Sequence, residues 1–220
     1  MSDAVGRELP GLDTFPGLVL ALTALSGELP AALVSRLPAS ATYKEYAVKQ
    51  LKRDNLLRTF YRNGVRGLRL TTTAKRLLLE CWPDQFLAYL SGSTETNQLK
   101  SEITRRLRLH RMAEVLVTML NADVSVLPWE KPALFRPTPP DNLTALDQPT
   151  YYSSREIKEL GAQAVKIRGS RSTGVLLAGG NIFTIYNTGP GQMKWENKAE
   201  LRFKALLGME LCQTRLPAQF

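Results

Sequence analysis

Cysteine and histidine, the residues that most often build metal sites, are scarce in this sequence. The chain of 220 residues has two cysteines and one histidine. Cys81 and Cys212 lie far apart and form no C-x-x-C pair, so we expect neither a zinc site nor a disulfide framework. Free cysteines of this kind fit a reducing compartment, and we predict a cytoplasmic protein without a cofactor.

The lone His110 also argues against one kind of enzyme. Tyrosine-dependent nicking enzymes of the usual type need a histidine-based metal site beside their nucleophile. The adjacent Tyr151 and Tyr152 are therefore interpreted as packing residues, and no catalytic residue is predicted.

Long hydrophobic runs are missing as well. The longest apolar stretch near the start, Gly17 to Leu25, is too short to span a bilayer, and no basic cluster of a signal peptide precedes it. We expect no membrane association. Acidic residues are also outnumbered: 29 Lys and Arg against 20 Asp and Glu give a net charge of +9 and a pI near 9.7. Such a balance favours a nucleic-acid or anionic-surface binder.

Residues 1–90 carry the pattern of a winged helix-turn-helix within an α+β fold. Apolar and alanine residues up to Leu25 predict a helix ended by Gly27, and a second helix follows Pro30. Thr42 and Glu45 predict a capping box that opens a third helix, running to about Asp54. A hairpin over 56–71, turning at Arg62-Asn63-Gly64, and short helices over 74–80 and 83–90 complete this region.

The remainder divides at two predicted linkers. Small polar residues over 91–96 precede a long helix over 97–121, in which Leu99, Ile103 and Leu107 form an apolar stripe. The segment 97–127 is a candidate dimer interface, and 128–150 is a proline-rich linker. Residues 151–220 predict a small α/β domain with a capping box at Ser153-Ser154-Arg155-Glu156, a hairpin over 174–187 around Gly179-Gly180, and a helix over 194–211.

Positive charge is concentrated between Lys44 and Arg76, where ten basic residues face only Glu45 and Asp54. On a helical wheel Tyr43, Ala47 and Leu51 face inward, which leaves a recognition helix with Tyr46 and Lys49 toward base edges and Lys52 and Arg53 toward phosphates. Gly64 and Gly67 would let the hairpin approach the DNA closely. The predicted double-stranded DNA contacts are Thr42, Tyr46, Lys49, Lys52, Arg53, Arg58, Arg62, Asn63, Arg66 and Arg69. Protein docking and an ordinary solvated surface are the alternatives.

Two weaker signals remain open. A second basic cluster on the long helix either extends the phosphate track or is a solvated face; it comprises Lys100, Arg105, Arg106, Arg108 and Arg111. Glu196-Asn197-Lys198 matches the E-x-K of metal-dependent nucleases, which need two or three carboxylates on a magnesium ion. A magnesium-dependent nuclease or nicking accessory using Glu196 and Lys198 is therefore a second functional alternative.

Parts of the chain resemble a known family. The run Tyr46 to Leu77 is similar to winged-helix proteins in general. The segments Ser153 to Lys158, Gly169 to Leu176 and Ile185 to Gly189 resemble the replication-relaxation family of plasmids and conjugative elements. The resemblance implies a winged helix joined to a small domain like a degenerate nuclease, with roles in replication, mobilisation or transcription regulation. We expect a non-catalytic homodimer of a mobile element, with other proteins of a mobilisation or replication complex as further candidate partners.

Overall fold

The computed structural model describes residues 9–90, 102–132, 148–160, 172–189 and 197–215. Within these ranges the chain forms eight helices and two antiparallel three-stranded sheets, which confirms the expected mixture of helices and strands. The chain divides into two compact units, Met1–Val117 and Thr118–Phe220. The first unit contains α1 (Phe15–Ser26), β1 (Leu29–Pro30), a 3-10 helix (Ala31–Arg36), α2 (Ala41–Arg53), β2 (Leu57–Arg62), β3 (Val65–Leu70), α3 (Thr72–Cys81), α4 (Pro83–Leu90) and most of α5 (Ile103–Leu120). The second contains β4 (Thr150–Ser153), α6 (Ser154–Leu160), β5 (Gly174–Ala178), β6 (Asn181–Ile185) and α7 (Asn197–Arg215).

Helix α1 is the buried centre of the first unit. The Thr14 hydroxyl accepts a hydrogen bond from the Gly17 N–H and caps the N-terminus. Every residue from Val19 to Ser26 is buried. Gly27 ends the helix with a φ of 82°, a left-handed conformation that favours glycine. The predicted helix and its stop signal are confirmed.

Helix α2 starts earlier than its sequence predicts. The Ser40 side chain accepts from the Tyr43 N–H at 3.4 Å, and the helix begins at Ala41. Thr42 lies inside the first turn, so the capping box predicted from Thr42 and Glu45 is wrong. Ser40 has the extended backbone that an N-cap requires, and it closely follows Pro38, which no helix can continue through without distortion.

The first sheet has the strand order β1-β3-β2. Strands β2 and β3 pair from Leu57 with Leu70 to Arg62 with Val65, around a turn in which Asn63 and Gly64 have φ of 53° and 76°. Both values suit a type I′ turn, whose twist matches the flanking strands. The predicted hairpin is confirmed. Strand β1, where Leu29 pairs with Leu68, was not predicted because two residues carry no periodicity.

The second sheet has the order β4-β5-β6. The predicted capping box is confirmed, because the Ser153 N–H donates to Glu156 at 2.7 Å and the Glu156 N–H donates to the Ser153 hydroxyl at 3.3 Å. Tyr151 and Tyr152 are buried, and their hydroxyls donate to the carbonyls of Thr173 and Pro132. Burial raises the pKa of the Tyr151 phenol. Their interpretation as packing residues is confirmed.

Several predictions fall outside the described residues. These are the linker over 91–96, most of the proline-rich segment, and the residues Leu99, Lys100 and Glu196. The division into units falls within α5 at Val117, while the domain boundaries expected from the linkers stay predictions. Among the helices that the structure describes, none is long and apolar enough to cross a membrane.

Candidate nucleic-acid interface

The outer face of α2 is polar and positively charged. Ala47 and Leu51 are buried and fix the inner face of the helix. Lys49 and Arg53 are exposed, and Tyr46 is 61% exposed. Tyr43 departs from its predicted inward position, since it is 43% exposed and its ring lies against Phe15 with 5.7 Å between centroids.

Lys52 of α2 is affected by a cation of the hairpin. The Lys52 side chain is half-buried. Burial lowers the pKa of its ammonium group, and the positive charge of Arg66 lowers it further. Helix α2 contacts β2, and β2 pairs with β3, so the cations of α2 and of the hairpin lie on neighbouring elements.

The two faces of the β2–β3 hairpin differ. Tyr61 pairs with Arg66 in the register, so both side chains lie on one face, which continues toward the buried Leu68 and Leu57. Arg58 and Arg69 pair on the opposite face. Both Tyr61 and Arg66 are exposed, as are the residues at the turn. We call the following set the cationic surface: Tyr46, Lys49, Lys52, Arg53, Tyr61, Arg62, Asn63 and Arg66.

Arg69 has a different environment from the other predicted contacts. Its guanidinium donates to the Glu28 carboxylate at 2.7 Å from Nε and lies 4.0 Å over the Phe60 ring. Its side chain is 13% exposed. Arg69 is thus an internal ion-pair partner and not an outward-facing cation, which corrects its expected role.

Three basic side chains converge on Glu28, whose side chain is fully buried. The Arg106 guanidinium donates to it at 2.6 Å, and His110 Nε2 lies 2.8 Å from Oε1. We call Glu28, Arg69, Arg106 and His110 the Glu28 cluster. Burial alone would raise the pKa of the Glu28 carboxyl, but the hydrogen bonds from His110, Arg106 and Arg69 outweigh it and hold the pKa at about 2.

Arg106 also bonds directly to the hairpin. Its guanidinium donates to the carbonyl oxygens of Phe60, Arg62 and Val65 at 3.2, 3.0 and 3.0 Å. The Arg106 guanidinium carbon lies 4.6 Å from the centre of the Phe60 ring. A single side chain from α5 therefore fixes the hairpin beside its turn.

Two expectations about the long helix are wrong, one for Arg106 and one for Leu107. Arg106 is fully buried, so its assignment to a phosphate track or a solvated face is wrong. Leu107, expected in the apolar stripe, is instead 41% exposed. The buried side of α5 runs through Arg106 because Glu28 and three carbonyls satisfy the guanidinium there.

Gly67 has a structural reason that differs from the expected one. A Cβ at this position would overlap the Glu28 carboxylate. Strand β1 places Pro30 opposite Gly67, and the side chain of Glu28, two residues before Pro30, occupies the space beside Gly67. Gly67 therefore makes room for Glu28, a structural reason that does not involve DNA, and close approach of DNA at Gly67 stays a prediction.

The Glu28 cluster was missed in the sequence, although two signals point to it. Glu28 is a lone acid between a buried helix and Leu29. On α5, Arg106 and His110 share the helical spacing of the buried Ala113 and Val117. Charged residues on a buried face require a buried partner, and Glu28 is that partner.

Other predicted sites have the following positions. Thr42 is exposed in the first turn of α2, and Arg108 is exposed on α5.

The apolar face of α5 is buried within the single chain, at Met112, Val115 and Leu116. These residues give no support to a dimer interface there, and the homodimer stays a prediction. Lys198 is exposed at the start of α7. Among the described residues no group of three His, Cys, Asp or Glu side chains is arranged to hold a metal ion.

Comparison of the chain with family models, with curated proteins and with solved structures finds no match. The resemblance to the replication-relaxation family therefore stays a prediction, and the function has to be argued from the surface itself.

Proposed function

We propose that the first unit is a winged helix-turn-helix and that its cationic surface binds double-stranded DNA. The order of elements supports this proposal: a helix, a short strand, two further helical segments and a hairpin, with the strands arranged β1-β3-β2. On this proposal α2 is the recognition helix and the β2–β3 hairpin is the wing.

The observation that carries the proposal is exposed positive charge on two adjacent elements. Among the residues that the structure describes, no carboxylate forms an ion pair with Lys49, Arg53 or Arg66. Burial lowers the pKa of the Lys52 ammonium group, and repulsion by the positive charge of Arg66 lowers it further. A solvated surface normally alternates charges of opposite sign, whereas phosphates would relieve this repulsion and release counterions.

The proposed docking uses the exposed side chains of α2 and of the hairpin. With α2 in the major groove, Tyr46 and Lys49 face base edges, while Lys52 and Arg53 face phosphates. Arg62, Asn63 and Arg66 on the hairpin then reach the adjacent backbone or minor groove. Thr42 in the first turn of α2 is a further phosphate contact. Arg58 lies at the end of the hairpin away from its turn, on the face opposite to Arg66.

We propose that the surface binds DNA without catalysing a reaction. We propose an accessory or regulatory role for the protein in a mobile element, as the family resemblance implies, with a homodimer that reads two half-sites.

The nuclease alternative rests on Glu196 and Lys198 and predicts magnesium-dependent cleavage of labelled duplex that Glu196→Ala abolishes.

The test compares two variants that lose the same charge. One replaces Lys49, Arg53 and Arg66 with alanine. The control replaces Lys198, Arg202 and Lys204, which are exposed on α7 of the second unit. Fluorescence anisotropy with a random-sequence duplex at low salt should show an affinity loss of roughly tenfold or more in the first variant and little loss in the control.

Equal losses in the two variants would mean that net charge alone attracts the duplex, and the proposal would fail. Absence of binding by the wild-type protein at low salt would favour the remaining alternative, a surface that docks another protein.

A further inference from the structure

Tyrosine is the unusual component of the cationic surface. Tyr61 is 67% exposed and Tyr46 is 61% exposed, the two highest values among the large hydrophobic side chains that the structure describes. Phosphate binding needs neither ring. An exposed aromatic ring among cations is instead the combination by which proteins hold unpaired bases, which stack on the ring while the cations follow the backbone.

Tyr61 is placed for such stacking. It is opposite Arg66 in the register, so its ring and that guanidinium share one face, whereas the side chain of Arg62, the next residue in the chain, points to the other face beside the turn. Helix α2 contacts β2, the strand that carries Tyr61. A DNA strand that follows the cations from α2 to the hairpin thus meets the ring of Tyr61.

The hairpin beneath Tyr61 is held in a fixed position. Arg106 donates to the carbonyls of Phe60 and Arg62, the residues on either side of Tyr61 in the chain, and to Val65 across the turn. Phe60, whose side chain points to the opposite face, contacts the guanidinium groups of Arg69 and Arg106. A ring on a fixed backbone loses little conformational entropy when a base stacks on it.

We infer that the cationic surface takes duplex DNA that adjoins unpaired bases, and that Tyr61 stacks on an unpaired base at the end of the duplex. This inference rests on the proposed function and specifies its substrate class. It makes Tyr61 a specificity residue for DNA structure, while Lys49, Arg53 and Arg66 supply affinity for phosphates of any DNA.

The experiment uses the full chain and two DNA molecules of equal phosphate number, a blunt duplex and a duplex with a single-stranded tail. The wild-type protein should bind the tailed duplex at least about fivefold more tightly, the lower end of the range for one stacked base. Tyr61→Ala should remove this preference, because it should weaken binding of the tailed duplex at least about fivefold more than binding of the blunt duplex. Tyr61→Phe should keep the preference, because stacking needs the ring and not the hydroxyl.

The matched control is Phe183→Ala, which removes an exposed aromatic ring from the hairpin of the second unit, where Phe183 is 49% exposed. It should leave the preference intact. A 2-aminopurine at the first unpaired position should lose fluorescence with the wild-type protein and with Tyr61→Phe, but not with Tyr61→Ala.

Two results would overturn the inference alone: equal affinity of the wild type for blunt and tailed DNA, or an equal loss for both in Tyr61→Ala. Failure of the wild type to bind either DNA at low salt would overturn the proposed function together with it.

Discussion

The two hairpins of this protein have the same turn conformation but expose different side chains. Both have two-residue turns with positive φ at both positions, 53° and 76° at Asn63 and Gly64 and 53° and 73° at Gly179 and Gly180. The first presents cations and a tyrosine, whereas the second presents Ile182 and Phe183. A hairpin motif therefore predicts a shape, and its function depends on the side chains that it exposes.

The hairpins are also fixed at opposite ends. Arg106 bonds to the carbonyls beside the turn of β2–β3. In β5–β6 the hydroxyls of Ser172 and Thr173 donate to the Ile185 carbonyl at the open end. The first arrangement holds the exposed turn in place through a side chain of α5.

Removal of Glu28 should have the largest effect on stability, because Glu28 pairs with the Arg106 side chain that holds the first hairpin. Glu28→Ala leaves Arg106 buried without its carboxylate, and we expect the free energy of unfolding to fall by about 3–5 kcal/mol, as for other broken buried pairs. Urea denaturation measures it. Glu114→Ala is the control, since it removes an acid from the exposed pair with Arg36, and it should cost less than about 1 kcal/mol. Equal costs would contradict the anchoring role of Glu28.

Acid should weaken the same anchor. The pKa of Glu28 is lowered from 4.5 to about 2 in the folded protein, so its contribution is complete above pH 4.5 and is lost as the pH falls toward 2. The contribution is on the order of 3 kcal/mol. The urea midpoint of the wild type should therefore fall more steeply over this window than that of Glu28→Gln. Parallel curves would show that Glu28 is not the group responsible.

Filling the space at Gly67 should have a smaller effect on the same hairpin. In Gly67→Ala the new methyl group overlaps the Glu28 carboxylate and forces it away from Arg69 and Arg106. We expect a loss of about 1–3 kcal/mol in unfolding free energy, typical of overpacking. A melting temperature equal to that of the wild type would contradict the close approach of Glu28.

Replacement of a turn glycine should have the smallest effect on stability, and the effect should be similar in the two hairpins. Gly64 and Gly180 have φ of 76° and 73°, and a Cβ at either position would meet no other atom within 4 Å. Only the left-handed backbone is penalised, so Gly64→Ala and Gly180→Ala should each cost about 1 kcal/mol. A much larger loss at Gly64 would mean that its turn packs against neighbours that Gly180 lacks.

The features that the sequence predicted well are formed by residues that are close together in the chain. Gly27, the Asn63-Gly64 turn and the Ser153 capping box act through neighbouring residues, and all three were predicted. The Glu28 cluster joins residues as far apart as Glu28 and His110, so no local pattern reveals it. The exposed cations of α2 followed from helical periodicity, whereas the inward position of Arg69 depends on Glu28 and did not.

The central claim is that the cations of α2 and of the first hairpin bind DNA phosphates. Its most direct test is the salt dependence of duplex affinity for the wild type, for the Lys49, Arg53 and Arg66 alanine variant, and for the Lys198, Arg202 and Lys204 control. We expect a steep slope of log affinity against log salt in the wild type and in the control. The slope of the first variant should be shallower by about 0.9 for each phosphate that it no longer neutralises. Identical slopes in all three proteins would contradict the claim.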